Sequence, residues 1–179
     1  MTNTEDAALH NRLGICYQRM GNAREARKAY KKALDLCADH AEAWNNLGTL
    51  DHAGGRYKRA IAAYSRAIRL EPHTAVFHKN LGAAWLASGD VDKALEAWSE
   101  AYRLEPRVLD SVGIVRMASA DLARQYYLYA KLLAARRDTG RAFDYLVKAL
   151  AQGFRDLSRV EDDHDFAALV ADPRYAALK

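Results

Sequence analysis

The sequence contains little proline and cysteine, and it has no long apolar run. Only three prolines occur in 179 residues, and no stretch rich in proline, glycine or serine divides the chain, so we expect one continuous domain, 1–179. Cys16 falls among apolar residues at helical spacing, and Cys37 lies on another predicted helix. We expect both thiols to be reduced, with Cys16 buried. No stretch approaches the roughly 18 apolar residues of a membrane-spanning helix.

Targeting signals are also missing from the sequence. The first residues, MTNTEDAALH, lack the basic-then-apolar order of a secretion signal. Together with reduced thiols, this favours a reducing compartment such as the cytoplasm. A periplasmic location is the alternative if a signal preceded this sequence and was removed. The net charge of +4 is modest and identifies no class of partner.

Motifs that carry chemistry are absent as well. The six histidines show no HExxH or Cys/His spacing, and the sequence has no glycine-rich phosphate loop and no GxSxG motif. Glu161, Asp162, Asp163 and Asp165 are acidic, but they lack the residue order of an EF-hand and fit a solvated helix start better. We therefore predict no catalytic residue, no metal site and no cofactor, and we expect the protein not to be an enzyme.

What the sequence does contain is a period of 34 residues. Each repeat has the same order of small, aromatic and leucine residues, as at Gly14, Gly48 and Gly82, at Ala26, Ala60 and Ala94, and at Tyr30, Tyr64 and Trp98. A fixed period of this length indicates an array of identical supersecondary units, none of which buries its apolar face alone. Such an array offers an extended binding surface and no site for chemistry by itself.

Apolar spacing within each repeat predicts two helices separated by a glycine turn. Small residues allow the two helices to approach closely, and Pro72 and Pro106 end the second helix of their pairs. The predicted helices are 6–20, 23–37, 41–53, 57–70, 75–87 and 91–104.

This pattern resembles the tetratricopeptide repeat, whose signature is W-x2-L-G-x2-Y, then A-x3-F, then P. Repeat 41–74 matches best, with Asp51 in the place of the signature tyrosine. Repeats 7–40 and 75–108 match with His10 and His78 in the tryptophan place. The resemblance implies an all-α fold, a right-handed α-solenoid of antiparallel helix pairs.

Beyond residue 108 the repeat pattern is interrupted and then resumes. The alanine of the second helix recurs at Ala142, 48 residues after Ala94, so an insertion, 109–122, precedes a degenerate repeat, 123–153, with helices near 121–136 and 140–152. The insertion is either an ordered segment on the array or a mobile loop over the groove. Residues 154–179 resemble the helical cap that closes many such arrays.

The resemblance also implies a concave groove lined by the first helix of each pair. The candidate groove residues are Asn11, Gln18, Asn45, Asn46, Thr49, His52, Lys79, Asn80, Tyr127 and Lys131. Because an asparagine amide donates and accepts at once, Asn45, Asn46 and Asn80 would suit the backbone of an extended peptide. The alternative is that these asparagines are merely common in such repeats. Lys79 and Lys131 would favour an acidic segment or a C-terminal carboxylate.

The opposite face is basic in the first two repeats, along 23–37 and 57–70, and acidic in the third. A solvated helix face is the plain explanation of these charges. The alternative function is electrostatic binding of nucleic acid or an anionic membrane, and head-to-tail self-association is a further option. The sequence as a whole predicts a non-enzymatic scaffold or adaptor that binds a protein or peptide. Its alanine- and arginine-rich composition suggests a bacterial source.

Overall fold

The computed structural model describes residues 3–110 and 119–178, which fall into two compact units, Met1–Arg116 and Met117–Lys179. The described part of the first unit forms three helix pairs, and that of the second forms a fourth pair and a tail. Its helices are α1 Asn3–Arg19, α2 Ala23–Leu36, α3 Ala41–Ala53, α4 Tyr57–Leu70, α5 Ala75–Ala87, α6 Val91–Leu104, α7 Ser119–Ala135 and α8 Thr139–Ala151. Each helix packs most extensively on its pair partner. The predicted all-α fold of helix pairs is confirmed.

The turns inside the pairs share one backbone geometry. Gly89 follows α5 with φ of 95°, and its N–H donates to Leu86 O while the next N–H, of Asp90, donates to Trp85 O, both at 3.0 Å. These bonds satisfy carbonyl groups that the helix end leaves open. In the fourth pair the same position holds Arg137, whose φ of 60° lies in the left-handed region.

The second helix of three pairs begins with an N-cap side chain. Asn22, Asp90 and Asp138 accept the backbone N–H three residues later, at 3.3, 3.1 and 3.4 Å. In the second pair the same position holds Arg56, which does not cap the helix; its Nε donates to Asp51 Oδ1 at 2.7 Å. The second pair thus replaces a cap with an ion pair.

Close approach of the paired helices depends on the repeated glycines. A Cβ atom built on Gly48 would lie 2.8 Å from the ring of Tyr64, and one built on Gly82 would lie 2.4 Å from the ring of Trp98. Both rings are buried, so they cannot move away without opening the core. The close approach that the small residues predict is therefore present, and large aromatic rings fill the space beside the glycines.

One expectation about the core is wrong. Leu9, Leu13 and Met20 on α1 are 59%, 41% and 77% exposed, and Cys16, expected to be a buried thiol, is also exposed. In α3 and α5 the corresponding face packs on the second helix of the preceding pair. Among the residues that the structure describes, α1 has no preceding helix, so its stripe is left uncovered.

The tail packs on the fourth pair. It contains α9 Ser158–Glu161 and α10 Ala167–Val170, with 3-10 helices at His164–Phe166 and Pro173–Leu178. Its large apolar side chains Val160, Phe166, Leu169 and Tyr175 are buried.

The insertion is described in part. Val108–Asp110 forms a 3-10 helix against α5 and α6, and Val108 and Leu109 are buried. Residues 119–122 form the first turn of α7. The choice between an ordered segment and a mobile loop concerns 111–118, which lie outside the described residues.

Candidate functional site

A continuous chain of side-chain amides crosses the first helices of the three pairs in the first unit. Asn80 Nδ2 donates to Asn45 Oδ1 (2.9 Å), Asn45 Nδ2 to Asn46 Oδ1 (3.4 Å), Asn46 Nδ2 to Asn11 Oδ1 (3.0 Å), and Asn11 Nδ2 to Glu42 Oε2 (3.2 Å). Donation runs in one direction, from α5 through α3 to α1, and ends on a carboxylate. We call this surface the amide face.

The amides differ in burial. Asn11 and Asn45 are 2% and 8% exposed, so their hydrogen bonds serve the fold, whereas Asn46 and Asn80 are half-buried and accessible from one side. Asn80 begins the chain and accepts no hydrogen bond from any described residue, so its carbonyl oxygen and second N–H remain available. The sequence identified these asparagines, but it did not indicate that they bind one another or that Glu42 ends the chain.

Two other predicted groove residues bind the core tyrosines. Gln18 Oε1 accepts the hydroxyl of Tyr30 at 2.7 Å, and the hydroxyl of Tyr64 donates to Thr49 Oγ1 at 3.2 Å. Burial raises the pKa of both phenols to about 12, so they remain protonated donors at neutral pH. Gln18 and Thr49 hold these rings in place, and each therefore uses hydrogen-bonding capacity inside the first unit.

His52 is enclosed at the end of α3. It is 7% exposed, its ring lies 5.4 Å from that of Tyr57, and its Nε2 atom has no hydrogen-bond partner among the described residues. Burial lowers the pKa of His52, and a hydrogen bond with the backbone of Ala83 only partly opposes this. The imidazole is therefore neutral at pH 7.

Lys79 is buried, although it was expected to face the groove. It is 7% exposed, and burial lowers its pKa despite the nearby charge of Glu105. Its backbone carbonyl accepts the indole N–H of Trp98 at 3.0 Å. Lys79 thus belongs to the packed interior of the third pair and is a poor candidate for an exposed anion site.

In the second unit, the tail covers both predicted groove residues of α7. Tyr127 stacks on Phe154 at 4.7 Å between ring centroids, and it also contacts Phe166 at 5.7 Å. Lys131 Nζ bonds to Asp163 and lies 3.6 Å from Asp165. This face of α7 already holds an acidic and aromatic segment of the same chain.

The acidic cluster of the tail is partly neutralised by this contact. Asp163, His164 and Asp165 bring potential ligand atoms within 4.8 Å of one another. However, the ammonium group of Lys131 contacts both carboxylates, and hydrogen bonding to Asp163 raises the pKa of Lys131. A cation is therefore in place without a metal ion, and we assign no metal ligands here.

Matches to family models identify the family to which the chain belongs. Two models of the tetratricopeptide repeat match residues 5–71 and 52–107, and together they span 5–107, more than half of the 179 residues. The chain belongs to the tetratricopeptide-repeat family. Proteins of this family generally serve as non-catalytic interaction scaffolds, so membership in the family supports a role as a protein-interaction module.

Solved structures agree with this fold. MamA matches with a TM-score of 0.58 and 24% identity over 87% of this chain and 81% of MamA. The first repeat domain of Spaghetti (RPAP3), bound to the HSP90 peptide SRMEEVD, matches with a TM-score of 0.57 and 20% identity. The match covers 59% of this chain and 83% of that domain. The N-terminal domain of stress-induced protein-1 from C. elegans matches with a TM-score of 0.54 and 16% identity. The match covers 62% of this chain and 94% of that domain.

No curated protein sequence matches the chain at a significant level. None of the helices that the structure describes is both long enough and apolar enough to cross a bilayer.

Proposed function

We propose that the protein is an adaptor that binds an extended segment of a partner protein across the amide face of its first unit. The observation that carries the proposal is the one-directional chain of amides from Asn80 to Glu42. A similar fold in Spaghetti (RPAP3) binds a short peptide, which supports this use of the scaffold. We propose that the adaptor acts in the cytoplasm.

Asn80 would make the first contact with the partner. Because it donates into a chain that ends on a carboxylate, successive bonds polarise one another and its own carbonyl oxygen becomes a better acceptor. A backbone N–H of the partner would donate to this oxygen, and the second N–H of Asn80 would donate to a partner carbonyl. Exposed Val76, one helical turn earlier on α5, would contact an apolar side chain of the same segment.

Backbone recognition, rather than attraction of acidic groups, is the mode that this face supports. Lys79 is buried and Lys131 is bonded to carboxylates of the tail, so neither is placed to attract an acidic partner segment. The exposed charges near the chain of amides, Arg12 and Glu42, have opposite signs. The partner segment is therefore expected to be polar or apolar without a strong net charge.

Site-specific photo-crosslinking in the source cell tests the proposal. A photoreactive phenylalanine analogue at Val76 should form an adduct with the partner, whereas the same analogue at exposed Arg24 on α2 should not. A synthetic peptide covering the crosslinked region is then titrated against the protein by calorimetry. Asn80→Ala should lower the affinity for this peptide by about 5–10-fold, which corresponds to the loss of about one hydrogen bond.

Asn22→Ala is the matched control. It removes the amide that caps the start of α2, away from the amide face, and the loss of an N-cap costs about 1 kcal/mol of stability. It therefore controls for an effect of reduced stability on peptide binding. Peptide affinity should be unchanged. Adducts that form only from the Arg24 position, or equal affinities of the two alanine variants, would show that the partner binds elsewhere.

A further inference from the structure

A cleft of about 650 Å³ opens between α2 and α4 in the first unit, with α3 as its floor. We call it the outer cleft. Its apolar lining consists of Trp44 and Leu47 on the floor and of Ala62 and Ala63 beside them on α4. The indole N–H of Trp44 donates to the carbonyl of Ala38 at 2.8 Å, so the one polar atom of that side chain is already used. A volume of this size lies within the range of sites that hold ligands.

The rim of the outer cleft is cationic. Five of its lining side chains are basic, and two of them have carboxylate partners: Arg27 bonds to Asp51 and Arg66 to Asp39. The other three make no ion pair with any residue that the structure describes; they are Lys31, Arg59 and Arg69. The lining carboxylate, Asp51, is already shared by two guanidinium groups, those of Arg27 and Arg56.

The repeat itself does not require these charges. Thirty-four residues later, the place of Lys31 is taken by Ser65 and that of Arg66 by Glu100, and the same helix pairing is kept. Two of the five basic places stay basic there, as Lys93 and Arg103, but each has a carboxylate partner, Asp90 or Glu100. More cations, and the ones without a carboxylate partner, therefore collect around the first of the two equivalent positions. A role in folding would predict similar charges at both.

We propose that the outer cleft is a second docking site, which binds an extended acidic peptide carrying one large apolar side chain. Guanidinium groups bind carboxylates with two parallel hydrogen bonds, and Arg59 and Arg69 are exposed for this geometry. The apolar side chain fills the floor beside Trp44 and Leu47. The phosphates of a nucleic acid would make no use of that floor, its bases would find one aromatic side chain there, Trp44, and a flat bilayer does not enter a cleft. The inference does not rest on the proposed function of the amide face.

Fluorescence anisotropy with a labelled probe peptide tests the proposal. The probe alternates glutamate and serine around one central leucine, and two companions replace either the glutamates with glutamine or the leucine with serine. The wild-type protein should bind the probe and lose about tenfold or more in affinity for each companion, because the site needs both the carboxylates and the apolar group. No binding of the probe, or binding that ignores the leucine, overturns the proposal.

A matched pair of variants locates the binding. Lys31→Ser with Arg59→Ser removes two unpaired cations from the rim, and Lys32→Ser with Lys58→Ser removes two exposed cations from the same helices outside the cleft. The rim variant should lose about tenfold in affinity and the control less than about twofold, since the change in net charge is the same. Equal losses would show diffuse attraction and sink the proposal.

A third variant tests the apolar lining. Ala62→Glu introduces the residue that the third pair carries at the equivalent position, Glu96, so the fold tolerates it. It should abolish probe binding without changing the melting temperature. Single-stranded DNA and phosphatidylserine vesicles are titrated in parallel. Tighter binding of either one, lost in the rim variant, would make the cleft a phosphate site and overturn the peptide assignment.

Discussion

Arg137 holds a backbone conformation that residues with a side chain rarely adopt. Its φ is 60° at a position where the turns of the first three pairs have glycine. The left-handed conformation costs a residue with a Cβ atom about 1–2 kcal/mol, and glycine loses about 0.5–1 kcal/mol more entropy on folding. Arg137→Gly should therefore raise the free energy of unfolding by roughly 0.5–1 kcal/mol. Urea denaturation followed by circular dichroism measures the change.

The reverse substitution is the control. Gly89→Ala, at the same position in the third pair, places a Cβ in open space at a φ of 95°. It should lower the free energy of unfolding by about 0.5–1 kcal/mol, because the cost of the left-handed conformation exceeds the entropy gained by removing glycine. If both variants shift stability in the same direction, the turn conformation is not what the two substitutions measure.

His52 should make stability depend on pH. Burial holds the pKa of the folded imidazole below its usual value of about 6.5, so the unfolded chain takes up a proton first as the pH falls. The protein is then expected to lose stability as the pH falls through 6.5 and below, and to keep it above that value.

Replacing His52 checks this expectation. His52→Gln removes the titrating group, so its free energy of unfolding should vary less between about pH 7 and pH 5 than that of the wild type. Parallel profiles for wild type and His52→Gln would contradict the account.

Asp51 joins three elements of the first unit. Burial alone would raise its pKa, but hydrogen bonds from Arg27 on α2 and Arg56 before α4 outweigh burial and hold the pKa below its usual value. Asp51→Asn keeps the shape and removes the charge. Since both guanidinium groups are partly exposed, the substitution should lower the free energy of unfolding by about 1–3 kcal/mol, which is less than for a fully buried pair.

Asp39→Asn is the control for this prediction. Asp39 also accepts a hydrogen bond from an arginine, with Arg66 Nη2 2.8 Å from its Oδ1 atom. Its side chain is 71% exposed, whereas that of Asp51 is 6% exposed. Asp39→Asn should therefore lower the free energy of unfolding by less than about 0.5 kcal/mol. Thermal unfolding at pH 7 compares the two variants, and equal melting temperatures would show that burial does not strengthen the Asp51 contacts.

The tail should stabilise the fourth pair. Phe166 and Leu169 are buried within the second unit, and Phe154 stacks on Tyr127. Ending the chain after Gly153 would expose this surface, so amide exchange should rise most in α7 and α8, because repeat energetics act between neighbours. Hydrogen exchange with mass spectrometry measures it. Unchanged protection in both helices would make the tail an appendage that contributes nothing to stability.

Local patterns were enough to predict the helices. Every predicted boundary of α1 to α8 lies within three residues of the observed one, because glycine turns and apolar spacing act over a few neighbouring residues. Longer-range relations were not predictable. The tail lacks the 34-residue period, so its contact with Tyr127 and Lys131 left no signal. The bonds between Asn80 and Asn45 depend on how two helices from different pairs are set against each other.

The uncovered stripe on α1 should limit solubility. Leu9 occupies a place that is buried on α3 and α5, where Ala43 and Phe77 stand, and Met20 is 77% exposed on the same stripe of α1. A protein with exposed apolar side chains in a row tends to associate. Leu9→Glu with Met20→Glu should raise the concentration at which light scattering shows association, without lowering the melting temperature.

The same repeat position on α3 provides the contrast. Ala43 corresponds to Leu9 but is fully buried, so Ala43→Glu should prevent stable folding of the first unit. A drop in melting temperature for the α1 variant similar to that for Ala43→Glu would show that the stripe is covered in solution.

In the proposed function, the width of the amide face sets how many residues of a partner can bind to it. The face crosses three neighbouring helices, and adjacent axes about 8–10 Å apart give a width of about 16–20 Å. An extended chain advances about 3.3 Å per residue, so roughly five or six residues of a partner fit across it. Sequence segments of that length arise by chance in disordered regions, and a single mutation can remove them. Partners could therefore be gained and dropped during evolution while the adaptor itself stayed the same.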